Sequence, residues 1–209
     1  MSIGKLIVAR HHESEWNKRG IWTGSRDVHL TPHGREMSGK MGSLVKDIRI
    51  DCAFASEQVR SLETLTEMLQ AMGLKDIPTE RSSALNERDY GDYTGKNKLE
   101  MKKILGREEY DRVHREWDCP IPGGETIKMV YERTVPYYTS AVLPVLQEGK
   151  NVLLVSHGNA IRALMKYIEG IPDEEVKNLE MLFGSVIVYD VDANGRMVSK
   201  ETRDLGSEN

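Results

Sequence analysis

The chain has 209 residues, 39% of them hydrophobic and 30% charged, and carries a net charge of −4. That length and balance suit one soluble globular domain with a real core. The negative balance argues against a general nucleic-acid or anionic-membrane binder, while leaving room for a local basic pocket.

Two cysteines, Cys52 and Cys119, have no close partner in the sequence. The count fits a reducing cytoplasm, with neither a disulfide framework nor a thiolate metal site. The N-terminus shows no basic segment followed by a signal-type apolar stretch, and no apolar run approaches the ~18 residues of a membrane span. The expectation is a cytoplasmic protein whose partners include neither nucleic acid nor membrane.

Ile3 to Ala9 reads as a buried first strand, short, aliphatic and bounded by polar residues. Thr31-Pro32 is a helix start, a capping hydroxyl followed by proline at the first helical position. Met37, Met41, Leu44, Val45 and Ile48 then recur on one helical face. "DCAFAS" (51–56) predicts a second strand, leading into a helix with Val59, Leu62, Leu65, Leu69 and Met72 on one face and Gly73 at its end. Residues 84–120 are polar and aromatic with weak periodicity, and predict loops and short helices forming a substrate-facing insertion in a single 1–209 domain. Glu125 to Gln147 is helical, bent or segmented by Pro136 and Pro144. "NVLLVSHGNAIRALMKYIEG" (151–170) predicts a strand, a turn and a helix stopped at Gly170, and "SVIVYDVDANG" (185–195) a strand and an Asn-Gly turn. Strands alternating with helices predict a three-layer α/β/α sandwich around a mostly parallel sheet.

Two of these strands end in a histidine: Val8-Ala9-Arg10-His11 and Leu154-Val155-Ser156-His157. Ligands of open α/β sheets gather outside the carboxyl ends of the strands, so the two histidines can meet in one cleft. Arg10 precedes the first, Arg60 opens the helix after the second strand, and "LNERDYG" (85–91) supplies Glu87, Arg88 and Tyr90. Arginine forks match phosphate oxygens, and several arginines converging with histidines make a phosphate site. Taken singly, each histidine reads as a solvated loop residue, and Glu87 alone as a surface glutamate.

The stretches "ARHHESEWN" (9–17), "WTGSRDVHLTPHG" (22–34), "ASEQVRSLET" (55–64), "LNERDYGDYTGKNK" (85–98) and "LLVSHGNAIRAL" (153–164) together resemble the histidine phosphatase superfamily, and within it the cofactor-dependent phosphoglycerate mutases. The resemblance implies a nucleophile at His11, phosphoryl oxygens held by Arg10, Arg60, His157 and Asn17, and a general acid at Glu87. It implies a substrate carboxylate and second phosphate held by Arg88, Tyr90, Lys98 and Arg115, with Ser14, Thr23, Gly24, Gly158 and Asn159 also at the substrate. The implied reaction interconverts 3-phosphoglycerate and 2-phosphoglycerate, a step of glycolysis and gluconeogenesis, primed by 2,3-bisphosphoglycerate and needing no metal.

Three departures from the family pattern stand out. His12 replaces the glycine that usually follows the nucleophile, His114-Arg115 replaces two adjacent arginines, and the segment from Trp117 to Gly124 is short. They leave open a broad-specificity phosphatase of small phosphate esters and, further off, a non-catalytic phosphate binder. Homo-oligomerisation stays open, as does closure of the "ETRDLGSEN" stretch (201–209) over the pocket. Trp16, Trp22, Met37 and Met41 are expected as core packing, and His29, His33 and His114 as surface residues.

Overall fold

The computed structural model describes residues 3–206. In chain order its elements are β1 (Gly4–Arg10), α1 (Glu15–Lys18), α2 (Pro32–Leu44), β2 (Cys52–Ala55), α3 (Val59–Ala71), β3 (Thr79–Arg81), α4 (Lys98–Leu105), α5 (Arg107–Arg115), α6 (Ile127–Tyr137), α7 (Leu143–Gln147), β4 (Val152–Ser156), α8 (Gly158–Glu169), β5 (Ser185–Val191) and β6 (Met197–Asp204). The strands form one sheet in the order β3-β2-β4-β1-β5-β6. β1 to β4 run parallel, while β5 is antiparallel to β1 and β6 to β5.

Successive side chains of a strand point to opposite faces, and here both faces are apolar. Leu6, Val8, Val152 and Leu154 pack with Tyr138, Leu146, Ile161 and Leu164 from the α6–α8 layer. Ile7, Ala9, Leu153 and Val155 pack with Met41, Val45, Leu65 and Met68 from α2 and α3. The result is the three-layer α/β/α sandwich. β3 and β6 were not anticipated, because each is an exposed edge strand that lacks a buried apolar face. β6 takes residues 201–204 of the C-terminal stretch into the sheet edge; residues 207–209 of that stretch lie outside the described residues.

Local chemistry explains the boundaries. The Thr31 side chain accepts from the Gly34 N–H at 2.9 Å, with Pro32 at the first position of α2. The long helical stretch divides into α6, a π-helical turn over Tyr138–Val142, and α7. Pro136 and Pro144 flank that turn, each removing one ladder donor. No helix among the described residues is long and apolar enough to cross a membrane.

Two glycines of α2 make opposite predictions. A Cβ on Gly42 would stand 2.4 Å from the Met68 carbonyl oxygen on α3, whereas one on Gly39 would come no nearer than 3.9 Å to anything. Gly42→Ala is therefore expected to lower unfolding free energy by about 1–3 kcal/mol through overpacking. Gly39→Ala is expected to raise it by about 0.5–1 kcal/mol through helix propensity and a stiffer unfolded chain. Urea unfolding of both variants checks the pair, and the same sign for both would be wrong.

Candidate active site

β1 and β4 pair with Arg10 opposite Ser156, so His11 and His157 leave the sheet side by side. The His11 N–H donates to the Ser156 carbonyl at 2.9 Å, and the imidazole centroids lie 4.9 Å apart. β2 flanks β4 on its other side, with Ala55 opposite Val155. That pairing sets Ser56 next to His157 and starts α3, with Arg60 in its first turn, at the same sheet edge.

The hydrogen bonds give the two histidines the same tautomer, with the proton on Nδ1. His11 Nδ1 lies 2.7 Å from the His12 carbonyl oxygen; a carbonyl only accepts, so Nδ1 carries the proton and Nε2 keeps its lone pair. His157 Nε2 lies 2.6 Å from Ser56 Oγ, which also accepts the Gln58 N–H at 3.3 Å. Assigning the hydroxyl proton to His157 Nε2 satisfies both groups and leaves Nδ1–H as a buried donor. Among the described residues that nitrogen has no hydrogen-bond partner, and neither has the Nε of Arg10, Arg60 or Arg162. Burial lowers the pKa of both histidines well below the ordinary value. Arg60 and Arg10 add to the effect at His11, and Arg60, His11 and Arg10 at His157.

The arginines are held through their other nitrogens. Arg10 Nη1 donates to the Met181 carbonyl at 2.9 Å, and its guanidinium lies 4.1 Å from the Phe183 ring centre. Arg60 donates to the carbonyls of Arg26 and Gly24 and to Gln58 Oε1. Gln58 Oε1 also accepts the Glu87 N–H at 2.9 Å, so it links the Arg60 guanidinium to the main chain of Glu87. Glu87 Oε1 accepts from the Arg88 N–H (2.8 Å), the Asn159 N–H (3.3 Å) and Asn159 Nδ2 (3.1 Å).

A pocket opens beside these groups. It is lined by Arg10, His11, Asn17, Thr23, Gly24, Arg60, Glu87, Tyr90, Lys98, Arg115, Gly158 and Asn159 among the residues singled out in the sequence. His157, Arg88 and Ser14 lie behind it, each fully buried. Ser14 donates from its hydroxyl (2.8 Å) and its N–H (3.1 Å) to Asn17 Oδ1, which leaves the Asn17 amide nitrogen to face a ligand. Arg88 stands 4.6 Å from the Tyr90 ring centre, and none of its guanidinium nitrogens has a hydrogen-bond partner among the described residues. The sequence reading placed Arg88 and Ser14 at the substrate; both are fully buried and neither is among the pocket-lining residues.

Seven lining residues were missed or misassigned: the apolar Ile21, Leu179 and Met181, and four with polar or aromatic side chains. His114 was expected at the surface, but α5 folds it over Trp22, with ring centres 6.4 Å apart and planes nearly parallel. Burial first, then Arg88, Lys98, Arg162 and Arg115, push its pKa down to about 3. Trp22 both packs, at 5.0 Å from Tyr90, and lines the pocket. Arg162 and Glu180 also line it. Arg162 sits three positions after Asn159 on one helical face, a spacing legible in the sequence; Glu180 carried no comparable signal. The lining holds five fixed cations, Arg10, Arg60, Lys98, Arg115 and Arg162, against two carboxylates, Glu87 and Glu180. His12, at the position where a glycine is usual, packs its ring between Phe183 (5.2 Å) and His33 (5.7 Å).

A histidine with a free lone pair, buried beside unpartnered cationic donors and a carboxylate, is an arrangement for phosphoryl transfer through nitrogen. The sequence profile of the Histidine phosphatase superfamily (branch 1) matches residues 6–203, and the chain belongs to that superfamily. It is 39% identical over 198 residues to a protein of Parvibaculum lavamentivorans, covering 94% of each. It is 40% identical over 200 residues to one from a Chelativorans species, covering 95% of this chain and 97% of that one. Both relatives are named 2,3-bisphosphoglycerate-dependent phosphoglycerate mutase. Among solved structures, Bacillus stearothermophilus YhfR superposes with a TM-score of 0.81 at 25% identity, covering 99% of this chain and 98% of that one. A mycobacterial glucosyl-3-phosphoglycerate phosphatase shares the fold, with a TM-score of 0.79 at 20% identity, covering 97% and 98% of the two chains.

Three neutral histidines, His11 and His157 buried and His114 half-buried, dictate the acid response. His11, His157 and His114 have pKa values below that of an unfolded histidine, so the unfolded chain takes up protons that the folded one refuses. Stability is complete above about pH 6.5 and is lost as pH falls below it, each histidine adding up to ~1.4 kcal/mol per pH unit. Urea titrations at pH 7.5, 6.5 and 5.5 are expected to show this slope, and His114→Gln to reduce it by about one proton. A stability flat across that window would contradict the assignment.

Proposed function

We propose that this chain interconverts 3-phosphoglycerate and 2-phosphoglycerate through a phosphohistidine at His11. The observation that carries the reading is the His11 Nε2 lone pair set beside the unpartnered donors of Arg10, Arg60 and His157. Those donors suit the oxygens of a phosphoryl dianion, and Lys98 and Arg115 suit a second anionic group. 2,3-Bisphosphoglycerate, when bound, supplies the phosphoryl group that loads His11.

In the forward half-reaction His11 Nε2 forms a bond to phosphorus as the phosphorus–ester oxygen bond breaks. Glu87 gives its proton to the departing oxygen. The His12 carbonyl, accepting from Nδ1–H, stabilises the positive charge that develops on the ring. Arg10, Arg60, His157 and the Asn17 amide nitrogen hold the three non-bridging oxygens as charge spreads over them. In the return half the other glycerate hydroxyl attacks phosphorus and gives its proton back to Glu87, restoring neutral His11. Arg88 adds its charge from beneath Tyr90, without contact. The 84–120 segment contributes Tyr90, Lys98 and Arg115 and serves as the substrate-facing cover.

A phosphatase of small phosphate esters is the second reading. Neutral His114 and the Glu180 carboxylate, 3.7 Å from Arg115, reduce the charge available to a second anion and favour it. In that case water takes the phosphoryl group.

Purified protein given 3-phosphoglycerate and 2,3-bisphosphoglycerate is expected to isomerise far faster than it releases phosphate. Phosphate release from many esters with negligible isomerisation would establish the second reading instead. His11→Ala is expected to abolish both turnover and acid-labile phosphorylation of the chain; label that survives it would move the nucleophile elsewhere. His12→Gly removes the ring that supports Phe183 over Arg10, and is expected to raise phosphate release relative to isomerisation. An unchanged ratio would leave His12 with no part in excluding water.

A further inference from the structure

One cation of the pocket is tied almost wholly to the protein itself. Arg162, on α8, is 7% exposed, and a charge that deep requires partners. Its Nη2 donates to the Arg115 and Val176 carbonyls, both at 2.7 Å. Its Nη1 donates to the His114 carbonyl (3.3 Å) and to Asn159 Oδ1 (3.1 Å). The guanidinium thus grips the last residues of α5, where carbonyls lack helical partners, and one side-chain amide.

The grip on that amide has a chemical consequence. With Oδ1 accepting from Arg162, Asn159 turns its Nδ2 the other way, donating to Tyr90 Oη at 3.0 Å and to Glu87 Oε1 at 3.1 Å. Together with the Arg88 and Asn159 N–H groups, this brings three donors to one carboxylate oxygen. An oxygen surrounded by N–H donors is an acceptor only and has no place for a proton of its own. A proton held by Glu87 therefore resides on Oε2, the oxygen that lies toward Gly158 and Arg10.

We propose that Arg162 is a positioning residue: it locks the Asn159 amide so that the Glu87 proton is held on Oε2, and it sets the end of α5 from which Arg115 reaches the substrate. The proposal rests on the reading of Glu87 as general acid. The charged and titratable groups around Glu87 are Arg10, Arg60, Lys98 and Arg162, with Arg88, Tyr90 and Arg133 joined to it through hydrogen bonds; those around Arg162 are Arg88, Tyr90, His114, Arg115 and Glu87.

The test uses the full chain and whichever reaction the parent performs on 3-phosphoglycerate, measured as kcat and KM across pH. Arg162→Lys keeps the charge but loses the fork that spans four acceptors. It is expected to lower kcat about 10- to 100-fold, to move the alkaline limb of the kcat profile upward, and to raise KM as Arg115 loses its support. The limb moves upward because an amide free to turn withdraws one donor from ionised Glu87, which then holds its proton more tightly. Asn159→Ala is expected to reproduce the kcat change and the limb shift with less effect on KM. The Arg162→Lys/Asn159→Ala double variant is expected to be little worse in kcat than either single one, because both break one chain of contacts. Additive losses, or an Arg162→Lys enzyme with parental kcat and pH profile, would overturn the proposal. A parent without turnover or phosphohistidine would instead overturn the proposed function.

Discussion

The site depends on the register of one strand pair. Arg10 stands opposite Ser156, and the ladder closes with the His11 N–H on the Ser156 carbonyl. Slipping a strand by one residue turns every side chain to the other face, and here that slip would exchange the two apolar layers. Leu6 and Val8 belong to the layer of α6–α8, and Ile7 and Ala9 to that of α2 and α3. The aliphatic core therefore fixes the relation between two imidazoles that lie just beyond it. What the chain needs for chemistry at the sheet edge is set by packing in the sheet interior.

Burial then acts twice. It keeps His11 and His157 neutral, and it makes the arginines expensive to leave unpaired. The fold offsets the second effect in one recurring way. Arg10, Arg60 and Arg162 each spend their terminal nitrogens on main-chain carbonyls and leave Nε without a partner among the described residues. The carbonyls belong to residues 24 and 26, to residue 181, to the end of α5 and to residue 176. The loops that wall the pocket are thus anchored by the cations that an incoming anion would meet.

Much of this was legible in the sequence, for identifiable reasons. The strands β1, β2, β4 and β5 announce themselves because burial on both faces leaves continuous aliphatic runs; β3 and β6 do not, because edge strands carry no such run. The Thr31-Pro32 cap and the two prolines around the π turn are local chemistry and read locally. Arg10, His11, Arg60 and His157 share the signal of a strand end, which predicts convergence at one sheet edge. Gln58 and Ser56 lie inside a quoted stretch, but their roles depend on Glu87 and His157 arriving from distant segments. His114 was misassigned because its burial comes from α5 lying over Trp22, a tertiary contact without a local pattern. Phe183 and Glu180 approach the site through a loop, where periodicity says nothing.

His114 also bears on who receives the phosphoryl group. A second arginine at that position would be a fixed charge, present whether or not a ligand is bound. The imidazole is neutral chiefly through burial and secondarily because Arg88, Lys98, Arg162 and Arg115 surround it. An anion entering among those four cations offsets their repulsion, and the cost of protonating His114 falls as it binds. The pocket therefore carries less standing charge than a double-arginine site.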